Sequence, residues 1–156
     1  MGLPEAALIR QEHLIRDLQL TSEVKMTKKS LVRYLALSLG LIAPGESRTL
    51  MLDIFEAFLS AHFSQEPMDI HQLIEKIAQI QGKKSKDVNP KAVRYHTLEL
   101  KKKGIIEKKA GKYRFSMPPM AEDDELGAAL EYVYMQNAKT TFDKIKLAIA
   151  TLKHMR

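Results

Sequence analysis

The sequence predicts a mainly α-helical protein that carries one small β-hairpin. Three observations predict it. Apolar residues recur at helical spacing between Gly and Pro breaks along most of the 156 residues. One short stretch, 105–115, switches to a period of two around Ala110-Gly111. Apolar residues make up 45% of the chain, enough to build a core and far from the composition of a disordered polymer.

Pro4 opens a first predicted helix that runs to about Leu20, with Ala7, Leu14 and Leu18 on one stripe. A polar break follows. A second helix is predicted from Thr27 to Leu41, with Leu31, Leu35, Leu39 and Ile42 inside and Lys28, Lys29 and Arg33 outside. Ala43-Pro44-Gly45 ends it. Ser47 is the predicted N-cap of a third helix, Arg48 to about Phe63. That helix is apolar nearly all round, which places it at the centre of the fold. Pro67-Met68 reads as a short extended connection. Asp69 then caps a fourth helix with Ile70, Leu73, Ile74 and Ile77 at core spacing.

Gln81–Val88 reads as a polar turn. Asn89-Pro90 is a strong helix start, and the fifth helix runs to Lys103 and stops at Gly104. Ile105–Lys108 and Lys112–Phe115 form the hairpin. In its return strand Tyr113 and Phe115 alternate with Lys112 and Arg114, giving one apolar and one cationic face. Pro118-Pro119 separates this unit from a helical tail that starts among the acids 122–125. The tail's apolar positions 126, 130 and 133 are followed by 142, 145, 149 and 152. That step predicts either one helix with a stutter or two helices broken near Lys139–Thr141.

Charge is more informative by place than in total. The net charge is +6, but residues 81–114 hold twelve Lys/Arg against three acids, a net +9. The remainder holds thirteen against sixteen, a net −3. Such a concentration is the electrostatic footprint of a polyanion partner, or else a solvated lysine face. The chain has no cysteine, which excludes disulfides, thiol nucleophiles and cysteine-ligated zinc. No apolar run approaches the roughly 18 residues of a membrane span, and charges at 5, 10, 12, 16 and 17 break any secretory pattern. A cytoplasmic, nucleoid-associated location without a membrane partner is the expectation. Met26 stands as a candidate alternative start.

The segment KAVRYHTLELKKKGIIEKKAGKYRF, 91–115, carries the most specific signal. Val93 opens a helix, Leu100 sits near its end, and Gly104-Ile105-Ile106 leads into a basic hairpin. With the two helices before it, the segment resembles the winged helix-turn-helix superfamily of bacterial and archaeal regulators, over about 70 residues. The resemblance implies a winged helix-turn-helix core at 47–117, N-terminal helices at 1–46 and a C-terminal helical segment at 118–156. It implies a recognition helix, 90–103, for the major groove of double-stranded DNA. It also implies a wing, 105–115, for the backbone or minor groove. Flanking helices in such proteins commonly mediate dimerisation. A homodimer through the tail (Leu126, Leu130, Val133, Ile145, Ile149, Leu152), the N-terminal helices, or both is therefore expected, against intramolecular packing of the same helices.

Helical geometry names the residues. Val93, His96, Thr97 and Leu100 share one side and point inward. Lys91, Arg94, Tyr95, Leu98, Lys101 and Lys102 project from the other. Arg94 can fork onto guanine O6/N7, and Tyr95 can reach a base edge or a phosphate. Lys83, Lys84 and Lys86 in the turn suit phosphates, as do Lys101 and Lys102. The wing contributes Lys109, Lys112 and Arg114. Several of these have a plainer reading. Lysines end helices whatever the function, and His96 reads as a packed, hydrogen-bonded histidine. Tyr95 and Leu98 are different, because an exposed aromatic and an exposed leucine beside cations call for a partner, DNA or protein.

Signals for chemistry are weak, and no enzyme activity, cofactor or metal is expected. Gly40–Ser47 has the spacing of a P-loop, but Glu46 stands where a phosphate-binding lysine belongs, and the stretch follows a helix. The histidines 13, 62, 71, 96 and 154 form no ligand pair, although His62 and His71 straddle a turn. The leading expectation is a DNA-binding transcription regulator or architectural protein. The alternative is a winged-helix protein-interaction subunit of a replication, segregation or transcription complex. An RNA-binding role shares the basic patch but lacks aromatics on a sheet platform.

Overall fold

The central helix owes its place to composition. In the computed structural model, which describes residues 4–46, 49–118 and 125–155, α3 (Leu50–Phe63) buries Met51, Asp53, Ile54, Phe55, Ala57, Phe58, Leu59 and Ala61. Thr49 caps it by accepting from the Leu52 amide at 3.0 Å. The cap is thus Thr49 rather than the predicted Ser47, which lies outside the described residues with Arg48. The described chain is mainly helical with one antiparallel hairpin, and it divides into two compact units, one up to Phe115 and one from Ser116.

Within the first unit, α1 (Glu5–Leu8) is a single turn, and the predicted helix to Leu20 is not formed. Residues 9–20 are instead an irregular arm. Two of its main-chain groups make tertiary bonds: the Arg16 amide donates to Ser38 O at 2.8 Å, and Tyr34 donates its hydroxyl to Leu18 O at 3.0 Å. The Arg16 guanidinium donates to Leu37 O at 2.8 Å and to Ile42 O at 2.9 Å. It thereby ties the arm to a carbonyl at the end of the next helix and to that of Ile42, four residues beyond that end. That helix, α2 (Lys28–Ser38), is capped by Thr27. Its buried face is Val32 and Ala36, with Ile42 beyond it. Of the leucines predicted inside, Leu35 is exposed, and Leu31 and Leu39 are half-buried. Gly40 turns the chain with φ +72, and a Cβ there would stand 2.5 Å from Leu14 O. In the P-loop-like stretch, Glu46 accepts from the Ala43 amide at 3.0 Å, so its carboxylate closes its own turn.

Helix α4 (Ile70–Gln81) starts with a reciprocal capping box between Asp69 and Gln72. Helix α5 (Pro90–Lys102) starts from Asn89, whose side chain accepts from the amides of Lys91 and Ala92. At its end the Gly104 amide donates to Lys101 O and the Ile105 amide to Leu100 O, both at 3.0 Å. This Schellman arrangement needs the left-handed backbone that Gly104 supplies at φ +78. The strands β1 (Ile106–Lys109) and β2 (Lys112–Phe115) pair Ile106 with Phe115 and Lys109 with Lys112. α3 touches α2, α4, α5 and β2, so it is the hub of this unit. Phe115 packs edge-on against Phe55 and Phe58, with ring centroids about 6 Å apart.

In the second unit the tail is one helix, α6 (Leu126–Lys153), with no break at 139–141. The Thr140 and Thr141 hydroxyls donate back to Gln136 O and Asn137 O at 3.0 and 2.9 Å. Both hydroxyls thus bond within their own helix, one turn back. The predicted acidic helix start at 122–124 lies outside the described residues. No helix among the described residues is long and apolar enough to cross a membrane.

Candidate nucleic-acid interface

Helix α5 presents two faces of opposite character. Val93, Thr97 and Leu100 are buried and fix the helix against the core. Spaced three and four residues apart on the other side, Lys91, Arg94, Tyr95, Leu98, Lys101 and Lys102 are all exposed. Tyr95 keeps 64% of its surface in water and Leu98 47%. His96 belongs to neither face. It is half-buried on the flank, where its Nδ1 lies 3.0 Å from Glu99 Oε1. This corrects the prediction that His96 points inward with Val93.

The turn before α5 contributes a second group of cations. Lys83, Lys84 and Lys86 are exposed around a single 3-10 turn, Ser85–Asp87, just before the Asn89 cap. Val88 is buried and anchors that turn. The N-terminal arm reaches toward the far end of α5. Partial burial first, and the Lys103 charge second, hold the His13 imidazole below its ordinary value.

The hairpin is anchored through its second strand and cationic at its tip. Met68 and Tyr113 exchange main-chain bonds: the Tyr113 amide donates to Met68 O at 2.7 Å and the Met68 amide to Tyr113 O at 3.2 Å. At the tip Lys109 and Lys112 are exposed cross-strand partners. Like charges opposite each other destabilise a hairpin unless something neutralises them. Arg114, on the same strand face as Lys112, is half-buried, and its guanidinium lies 3.8 Å from the carboxylate of its cross-strand partner Glu107. Sequence reasoning passed over Lys108, whose ammonium sits 5.3 Å from the centre of the Tyr113 ring. Its place opposite Tyr113 in the register was the signal.

The histidines do not gather. His62 lays its ring against Phe63 and Phe115. Among the described residues no group of three His, Asp or Glu side chains is placed to hold a metal ion. The arrangement is therefore one of fixed cations, with an exposed tyrosine and leucine between them. Compared with family models, with curated proteins and with solved structures, the chain matches none.

Proposed function

We propose that the chain binds double-stranded DNA as a winged helix-turn-helix protein, with α5 in the major groove and the hairpin tip on the backbone or minor groove. The observation that carries this reading is the single exposed stripe Lys91, Arg94, Tyr95, Leu98, Lys101 and Lys102, held outward by the buried Val93, Thr97 and Leu100. A major groove about 12 Å wide admits such a helix. The element order supports the reading: helix, bridged extended residue, helix, turn, helix, hairpin. Arg94 and Tyr95 are the base-reading candidates. Lys83, Lys84, Lys86, Lys101, Lys102, Lys109 and Lys112 are the phosphate contacts. Lys108, which keeps its ammonium near the Tyr113 ring, lies on the opposite face of the hairpin from Lys109 and Lys112. Arg114, beside Glu107 and on the same face as Lys112, is a further wing contact to the backbone or minor groove. The activity is binding rather than catalysis, in transcription regulation or in chromosome architecture, and so in the cytoplasm at the nucleoid.

Duplex binding followed by fluorescence anisotropy across a salt series tests it. Submicromolar binding that weakens steeply with salt, and that Arg94→Ala/Tyr95→Ala abolishes, is the expected result. Wild-type binding no tighter than about 10⁻⁴ M at physiological salt overturns it. One observation favours a second reading, a protein-interaction surface. Tyr95 and Leu98 form an exposed apolar pair in the middle of the stripe. On that reading both are covered by a protein partner and DNA binding is weak.

A further inference from the structure

Helix α6 carries a second surface that the DNA reading leaves unused. From Met135 onward its apolar residues fall at alternating steps of three and four: Met135, Ala138, Phe142, Ile145, Ile149 and Leu152. This is a heptad pattern with Met135, Phe142 and Ile149 at a and Ala138, Ile145 and Leu152 at d. Its large members are in water. Met135, Phe142, Ile145, Ile149 and Leu152 keep between 42 and 68% of their surface exposed. Five side chains of that size leave on the order of 500 Å² apolar per subunit, toward the about 800 Å² that one partner of a stable interface buries. The earlier apolar positions differ, since Leu126 is buried and Leu130 and Val133 are half-buried. The exposed seam thus begins at Met135, about a third of the way along the helix.

We propose that this seam pairs with the same seam of a second copy of the chain, as a parallel two-stranded coiled coil. The charges beside the seam select the partner's direction. All three e positions are lysine, Lys139, Lys146 and Lys153, and the g positions are Tyr134, Thr141 and Ala148. Parallel packing sets e against g of the partner, lysine against an uncharged residue. Antiparallel packing sets e against e, lysine against lysine, a repulsion that Asp143, 3.5 Å from Lys139, offsets only at that position. A third strand would crowd the same lysines further, which selects two strands. In the last of the three layers, Ile149 at a followed by Leu152 at d is also the combination that favours a parallel dimer. The pairing stands independently of the DNA reading, because it rests on α6 alone.

The test is the mass of the full-length chain by sedimentation at tens of micromolar, beside Ile149→Glu. Ile149 is exposed within its own chain, so the variant keeps its helical circular dichroism. The expected result is twice the chain mass for wild type and one chain mass for Ile149→Glu. Direction is read by oxidative cross-linking, since the chain has no cysteine of its own. Leu152→Cys forms a covalent dimer in a parallel pair, where both copies occupy one layer. In an antiparallel pair the two sulfurs stand about 25 Å apart, at 1.5 Å per residue. Thr140→Cys, on the outer face, is the control that stays uncross-linked. A wild-type chain of single mass, a dimer indifferent to Ile149→Glu, a trimer mass, or a dimer that Leu152→Cys fails to cross-link each overturns the proposal.

Discussion

Gln81 donates from Nε2 to Oδ2 of Asp53 at 2.8 Å, a side-chain bond that joins the last residue of α4 to the first turn of α3. Asp53 is buried, and its carboxylate also lies at the positive end of its own helix. Gln81→Leu keeps most of the packing and removes the donor. It is expected to cost about 1–3 kcal/mol, read by urea denaturation, because a buried acceptor loses its partner. Asp53→Ala and Gln81→Leu share one bond, so their costs in the double variant are expected to sum to less than the two singles.

The Lys109–Lys112 pair makes stability and binding move in opposite directions. Lys112→Ala removes a cross-strand repulsion and is expected to stabilise the hairpin by a few tenths of a kcal/mol in thermal melts. In the same variant the salt dependence of DNA binding is expected to fall by about 0.9 in log–log slope, one phosphate contact's worth. A variant that loses stability and keeps the wild-type slope would mean that Lys112 is structural rather than a phosphate contact.

Ala110 holds φ +54 at the hairpin tip, followed by Gly111 at +80. Two consecutive positive φ values define the turn that Asn-Gly satisfies best, and alanine is strained there. Ala110→Asn is expected to raise stability by about 1 kcal/mol, a rise in Tm of roughly 2–8 °C for a chain or unit of this size. DNA affinity is expected to hold, since no charge changes.

The N-terminal arm depends on Gly40 and Arg16. In Gly40→Ala a Cβ would stand 2.5 Å from Leu14 O, on a backbone already in the left-handed region. Arg16→Ala leaves Leu37 O and Ile42 O without that donor. Both variants are expected to release residues up to about 20, seen as faster limited proteolysis there, while the α3–α5 core resists. Equal cleavage in wild type and variants would remove the strapping role assigned to Arg16.

How far the sequence foretold these features differs from element to element. The starts of α4 and α5 and the end of α5 were legible because Asp69, Asn89-Pro90 and Gly104 act within one turn of themselves. The same locality made the outward stripe on α5 legible once Val93 and Leu100 were placed inside. The arm was not. Ala7, Leu14 and Leu18 have helical spacing, but Arg16 and Leu18 bond to Tyr34, Leu37, Ser38 and Ile42, some twenty residues away. The inner face of α2 was misassigned for a related reason. Leucines lie on two sides, and the small Ala36 with Val32 is what fits closest against its neighbours. At the interface, Arg114 looked like its neighbour Lys112 in sequence. Only the cross-strand register with Glu107 separates them.

The mutual main-chain bonds of Met68 and Tyr113 also carry a kinetic consequence. They close a loop of 45 residues, the separation between the two positions, at a length-dependent entropic cost of about 3 kcal/mol. Both α4 and α5 lie inside that loop. The closure is repaid only after these helices have packed, so it belongs to the late part of folding. In native-state hydrogen exchange the Tyr113 amide is then expected to open with the whole first unit rather than by local fraying. Helix and hairpin would thus acquire their mutual angle in one cooperative event, as a single rigid tool rather than two adjustable ones.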